Sequence, residues 1–402
     1  MGLLGLSGLG TTSGVLHLEF PLFCYNRPNR RGLLEMRPRI VLFFIAVCLG
    51  TGIVGFSQTK KDDDEVLKID TQLVDVPIVI TDKTGKPVLN LKENNFTVLE
   101  DGKPQEISQF GAASAPFEVA LLLDTSGSTR SDIELIQRAA QYFIASLRPG
   151  DRVAVVAYRT DRTPDRVLAV SEVLSSLTDD RNKLKIAVGK AGTSNGTPYY
   201  DSLVQIADKI FGDKPTDEFR GRRALVALTD GVDSTSATGF DDAKERLEAT
   251  GVAAYFVQVD TREFFEESIM GDCQTSTRFS AAQIRRYFAG FKSSEVEKTT
   301  DFCKLGEFER LAISKKLYEI ADTEMSTLAK ESGGKVFPVA DLSEARGAFK
   351  QVADEIGTKY SLGYYSANEK HDGTYRKIKV VLKNVPAGTQ IRAREGYTAP
   401  AN

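Results

Sequence analysis

Residues 119–128 read VALLLDTSGS: five apolar residues in a row, then Asp124-Thr125-Ser126-Gly127-Ser128. An apolar run without alternation has no solvent face, so it belongs in a sheet covered on both sides, as parallel sheets are. Three more runs of this character follow: RVAVVAY at 152–158, ALVAL at 224–228 and VAAYFVQV at 252–259. Helical periods separate them. Ile133, Ile136, Ala140, Phe143 and Leu147 fall on one helix face, with Ser131-Asp132 as cap and first turn. Leu203, Ile206, Ile210 and Phe211 mark a second helix, led in by Thr197-Pro198. Leu311, Leu317, Ile320, Met325 and Leu328 mark a third, which stops at Gly333-Gly334. Strands alternating with helices predict a doubly wound α/β domain over 116–357, its sheet mostly parallel.

In an open sheet of this kind ligands sit outside the carboxyl ends of the strands. Asp124, Ser126 and Ser128 leave such an end at alternate positions and can converge on one point. Their oxygens are hard donors, suited to Mg²⁺ or Mn²⁺ and poorly suited to zinc. Capping of the next helix is the plainer reading of the same residues. Two later segments add donors: Asn195-Gly196-Thr197-Pro198 sets a hydroxyl at a helix start, and Leu228-Thr229-Asp230-Gly231 sets a carboxylate at the end of another core strand. In this order and at these positions, Asp124, Ser126, Ser128, Thr197 and Asp230 closely resemble the metal-ion-dependent adhesion site of the von Willebrand factor type A (vWA) domain. That site combines Asp-x-Ser-x-Ser with a later Thr and a later Asp.

The resemblance spans 116–357, interrupted by an insertion at 261–308. It implies a Rossmann-like fold and a Mg²⁺ or Mn²⁺ ion bound directly by the two serines and the threonine, with the aspartates acting largely through water. An ion held mainly by neutral hydroxyls keeps much of its charge, and so attracts an Asp or Glu carboxylate of a partner protein. Asp233, just past Asp230, reads as a solvated turn carboxylate in preference to an outer-shell ligand.

Both flanks are β-rich. Val74, Val76, Ile78 and Ile80 alternate with Asp75, Pro77, Val79 and Thr81, short strands follow at 96–99 and 107–110, and the far end repeats the style at 360–365, 378–382 and 391–394. Each flank supplies only about three strands, too few to stand alone. The expectation is one sandwich made from 67–115 and 358–402 together, with the vWA domain inserted between its strands. The stretch VPIVITDKTGKPVLNLKENNFTVLEDGKPQEISQF, with YSLGYYS, GTYRKIKVVLKN and IRAREGY near the other end, looks like the VWFA-related secreted proteins described mainly from acidobacteria.

Upstream, MRPR at 36–39, an uncharged apolar run at 40–54 and GFSQ at 55–58 follow the grammar of a secretory signal peptide. Residues 1–57 read as a misplaced start plus that signal, with translation from Met36 and a polar linker at 58–66. A retained anchor is the alternative, although the apolar run falls short of a span of ~20 residues. Either way the chain is expected to be secreted, periplasmic or held at the cell envelope.

Composition narrows the rest. The 402 residues are 27% charged and 41% hydrophobic with a net charge of −3, enough for a sizeable core and without the basic footprint of a nucleic-acid binder. The two histidines, His17 and His371, fall in the leader and in a turn, so hydroxyl nucleophiles such as Ser126 and Ser128 lack an acid/base partner and catalysis is not expected. Past residue 57 the chain keeps Cys273 and Cys303, which suggest one disulfide in an oxidising compartment, with two free thiols as the alternative. Between them, Arg285-Arg286-Tyr287-Phe288 and Phe291-Lys292 read either as an exposed interface cluster or as the buried face of a short helix. The function expected is a metal-dependent protein-binding or adhesion module. The alternative is an envelope scaffold in which the metal only stabilises the loops.

Overall fold

A computed structural model of the chain describes residues 73–127, 132–291 and 299–401. The leader, the signal and the linker expected at 1–66 lie outside the described residues, as do Ser128, Ser131 and Lys292. The described chain belongs to one compact unit, Ile69–Asn402.

The chain opens with β1 (Leu73–Thr81), β2 (Phe96–Glu100), β3 (Lys103–Gln105) and β4 (Ile107–Gly111). It then enters a second body through β5 (Glu118–Leu123), α1 (Ile133–Ser146), β6 (Arg152–Thr163), β7 (Arg166–Thr178), α2 (Arg181–Gly189) and α3 (Tyr199–Gln205). That body continues with β8 (Arg223–Thr229), α4 (Phe240–Ala249), β9 (Ala253–Val259), α5 (Arg262–Ser268), α6 (Ala281–Ala289) and α7 (Glu307–Ser332). It closes with β10 (Lys335–Val339) and α8 (Ala345–Gly357), after which β11 (Tyr360–Tyr365), β12 (Tyr375–Leu382), β13 (Gln390–Ala393) and β14 (Gly396–Thr398) return to the first body.

The six-stranded sheet has the order β10-β9-β8-β5-β6-β7, parallel except for the antiparallel pair β6–β7. Every residue of β5 and β8 is buried, as the unbroken apolar runs require. Side chains alternate between two cores. Val119, Leu121 and Leu123 face one core with α1, α2 and α8, which contribute Phe143, Leu184 and Phe349. Ala120 and Leu122 face the other, where α3, α4 and α7 contribute Leu203, Leu247 and Leu317. This is the vWA fold: a mostly parallel sheet between two helical layers.

The flanking strands form two four-stranded antiparallel sheets, β13-β1-β11-β4 and β14-β12-β2-β3. Strands from both ends of the chain pair within each: Val76 lies opposite Leu362, and Val98 opposite Val380. Val76, Ile78, Val98, Tyr360, Tyr364 and Val380 share one core between the two sheets. A β-sandwich flanks the vWA layers, with its strands drawn from before and after them.

The insertion is built of α5, α6 and their connections. Cys273 and Cys303 are bridged, with Cα atoms 5.2 Å apart. The aromatic cluster divides between its two readings: Phe288 is buried with Ile284 on α6, Tyr287 is half-buried, and Phe291 is 38% exposed.

Candidate metal centre

Strand order reverses next to β5: the chain moves outward through β6 and β7 on one side, then through β8, β9 and β10 on the other. A crevice opens at the carboxyl ends of the strands at such a switch point. Leu123 pairs with Leu228 in parallel register, so Asp124 leaves β5 beside Thr229, the last residue of β8, and Asp230 follows directly.

The Asp124 carboxylate is fixed on both oxygens. Oδ1 accepts from the backbone N–H of Ser126 at 3.0 Å and Oδ2 from the Thr229 hydroxyl at 2.8 Å. Asp230 is held likewise, Oδ1 by the N–H of Val232 at 2.9 Å and Oδ2 by the Thr261 hydroxyl at 2.6 Å. Thr229 Oγ1 also accepts from the N–H of Gly231 at 2.9 Å, a glycine at φ 75° whose Cβ would stand 2.7 Å from Met325 Cε. Only glycine turns the chain there without a clash.

Thr197 joins through its loop. Its N–H donates to Ser234 Oγ at 2.8 Å, and its carbonyl accepts from the N–H of Ser234 at 3.0 Å. One residue group upstream, the N–H of Ser194 donates to the Thr125 carbonyl at 2.7 Å. Asp124, Ser126, Thr197 and Asp230, all buried, thus belong to three loops tied to one another at one sheet rim.

The electrostatics of the rim are unfavourable to bare carboxylates. Burial raises the Asp124 carboxyl above its usual range, against the hydrogen bonds from Ser126 and Thr229. Burial, followed by the charge of Asp124, pushes Asp230 up to about 7. Two acids at one water-poor point cannot both ionise cheaply, and a cation between them reverses that cost.

Asp233 corrects the sequence reading. It is 2% exposed, not a solvated turn residue. Its Oδ1 accepts from the N–H of Tyr199 at 3.0 Å and from the Ser236 hydroxyl, and its Oδ2 lies 3.6 Å from Arg286 of α6. Arg286 stacks over the Tyr200 ring at 4.9 Å, and the Tyr200 hydroxyl donates to Glu324 at 2.6 Å. A residue of the insertion therefore reaches the start of α3, two residues after Thr197.

Sequence reasoning did not single out Thr229, Thr261 or Ser234. Thr229 stands inside the quoted segment and carries a local signal. Thr261 does not, because its meeting with Asp230 arises only when β9 lies beside β8.

Fold and rim together define a vWA-type architecture. In agreement, residues 119–232 match the family model described as "von Willebrand factor type A domain". No curated protein matches the chain. Among solved structures, the conserved hypothetical protein BatB from Bacteroides thetaiotaomicron is 15% identical, with 60% of this chain and 98% of that one covered at a TM-score of 0.36. A von Willebrand factor type A structure from Catenulispora acidiphila is 13% identical, covering 83% and 75% at 0.38. Proximal thread matrix protein 1 from the mussel byssus, solved with a zinc-occupied MIDAS motif, is also 13% identical, covering 60% and 48% at 0.38.

Among the described residues no group of three or more His, Cys, Asp or Glu side chains is placed to hold a metal ion. The rim offers instead two carboxylates with hydroxyls, a donor set of hard oxygens alone, which fits a small divalent cation. Among the described residues no helix is long and apolar enough to cross a membrane.

Proposed function

We propose that Asp124, Ser126, Ser128, Thr197 and Asp230 hold Mg²⁺ or Mn²⁺ and present an open coordination position to an Asp or Glu carboxylate of a partner protein. vWA domains commonly mediate protein–protein contacts, and this chain acts as such a module at the cell envelope or outside the cell, without catalysis of its own. The observation that carries the reading is the convergence of three tied loops at the β5–β8 switch point, with two buried acids among them. The bound ion supplies the attraction for the partner's oxygen. The chain's own residues orient it: Thr229 and the Ser126 N–H fix one carboxylate, Thr261 and the Val232 N–H the other. We take the vWA domain as 116–357 with its insertion at 261–308, 67–115 and 358–402 as the β-rich flanks, and 36–57 as the export signal.

Calorimetric titration with Mn²⁺ tests the site. The whole chain is expected to bind one ion per molecule, and Asp124→Ala is expected to bind none while keeping its circular dichroism spectrum. Equal binding by that variant would end the proposal. The loops are already joined by direct hydrogen bonds, so chelation is expected to remove partner binding and leave the chain folded. A scaffold role would show the reverse, with unchanged partner affinity and a large loss of melting temperature in chelator.

A further inference from the structure

At the seam between the sandwich and the vWA layers lies a cavity of about 360 Å³, walled by Asp75 of β1, Gln109 and Phe110 of β4, Arg220, and Ser361 and Leu362 of β11. It adjoins the amino end of β8, whereas the rim stands at the carboxyl end. A volume of this size lies at the lower end of ligand pockets, roughly 300–1,000 Å³.

Asp75, Asp217, Glu218, Arg220 and Arg222 line the cavity, and Asp75 and Arg220 form no ion pair with each other among the described residues. Arg220 pairs through its terminal nitrogen with exposed Asp217 at 3.1 Å. Its Nε–H is buried and, among the described residues, has no hydrogen-bond partner. The Asp75 carboxylate packs over the backbone at Gly221 and Gly251, its oxygens 3.4 Å from where either Cβ would stand. It feels Arg220, Arg394 and Arg223 through space, yet no ion pair or side-chain hydrogen bond to it is formed among the described residues. Arg222 also borders the cavity, but its guanidinium is committed to five backbone carbonyl contacts.

A half-buried carboxylate without an ion pair favours a cation, and a guanidinium paired only with an exposed carboxylate can exchange that partner for another anion. Burial pushes the Asp75 carboxyl up to about 6 in spite of the surrounding arginines, a cost that an incoming ammonium would offset. We propose that the seam cavity binds a small zwitterion of the α-amino-acid class, its carboxylate on the Arg220 guanidinium in exchange for exposed Asp217, its ammonium on the Asp75 carboxylate, and its side chain towards Phe110 and Leu362. One molecule carrying both charges meets Asp75 and Arg220 together, which neither a simple anion nor a simple amine does.

Thermal-shift and calorimetric titration of the whole chain in chelator, with millimolar glycine, L-leucine, L-methionine, L-glutamate and L-lysine, tests this. At least one free amino acid is expected to raise the melting temperature saturably. N-acetyl-leucine and leucine methyl ester, each lacking one charge, are expected to bind about tenfold more weakly or worse, a difference of about 1.4 kcal/mol. Arg220→Gln is expected to lose the response. Asp75→Asn, which keeps the side chain's shape and removes a half-buried charge, is expected to lose the preference for a free amine. No shift with any of the five, equal binding of the blocked forms, or an undiminished response in both variants would each overturn the assignment. Because the metal is chelated throughout, failure here is separate from failure at the rim.

Discussion

Arg222 sits immediately before β8 and donates to the carbonyls of Ala112, Ala113, Ala115, Pro116 and Lys359, in the two connectors between sandwich and vWA layers. Its guanidinium lies 4.1 Å over the Phe117 ring, and burial lowers its pKa to about 9. No other side chain supplies five donors in a planar fork. Arg222→Met is expected to leave several carbonyls unsatisfied and to cost at least about 3 kcal/mol in urea unfolding. Tyr199→Phe has the opposite sign. The Tyr199 hydroxyl is buried and, among the described residues, has no hydrogen-bond partner, so its removal is expected to stabilise the chain by about 1 kcal/mol. A loss of stability in that variant would show that the hydroxyl is used. At this scale the sequence was readable where residues announce themselves locally, as in Asp124-Thr125-Ser126. Asp233 was misread because turn residues are usually wet, whereas here Arg286, more than fifty positions away, closes over it.

Among the elements, the strands buried on both faces were legible and the edges were not. β5, β8, β9 and the first half of β6, up to Tyr158, are mainly apolar runs. β7 is partly exposed along its whole length, so RVLAVSEVLSSLT carries neither period cleanly. β10 contains Pro338, which speaks against a strand unless the strand is an edge, and β10 is one. The insertion had a compositional signature only: two cysteines and a patch of rings. Its bridge closes a separation of 30 residues, and replacing both cysteines by serine is expected to cost about 3–4 kcal/mol by the chain-entropy estimate. Because α6 carries Arg286 to Asp233, the same change is expected to weaken Mn²⁺ binding as well as stability. Calorimetry on oxidised and reduced protein checks this, and equal ion affinity in both would show that the insertion does not reach the rim energetically.

The whole molecule joins a parallel sheet to a sandwich closed by both flanks, and the flank pairing followed from strand counting more than from any motif. Its balance of buried acids sets its pH response. Burial, opposed by nearby arginines, leaves Asp75 titrating at about 6, and burial, opposed by the Tyr200 hydroxyl, leaves Glu324 at about 7, each above its unfolded value. Between the unfolded and folded values the native state holds more protons, so stability is greatest at the acid side of that window and is lost as pH rises through 6 and 7. In chelator, the unfolding free energy from urea titration is expected to be higher at about pH 5 than at about pH 8, by on the order of 1–3 kcal/mol, with a correspondingly higher midpoint. Fully buried Lys359, held well below the usual lysine range by burial, acts the other way and offsets part of this effect, and exposed Asp82, Asp341 and Asp372, held below the usual range by their Thr or Ser hydrogen bonds, act the other way at still lower pH. A higher midpoint at pH 8 would contradict this reading. Removing 358–402 takes strands out of both sandwich sheets, and the shortened chain is expected to elute as aggregate in size-exclusion chromatography.

The vWA layers are attached to the sandwich by two covalent connections, at 112–117 and 358–359, both gripped by Arg222, with Arg148 adding a second hold on the first through the carbonyls of Ala113 and Ala115. A load applied at the rim therefore strains a double tether. Each leg carries only part of the tension, and neither can lengthen before that shared clasp opens.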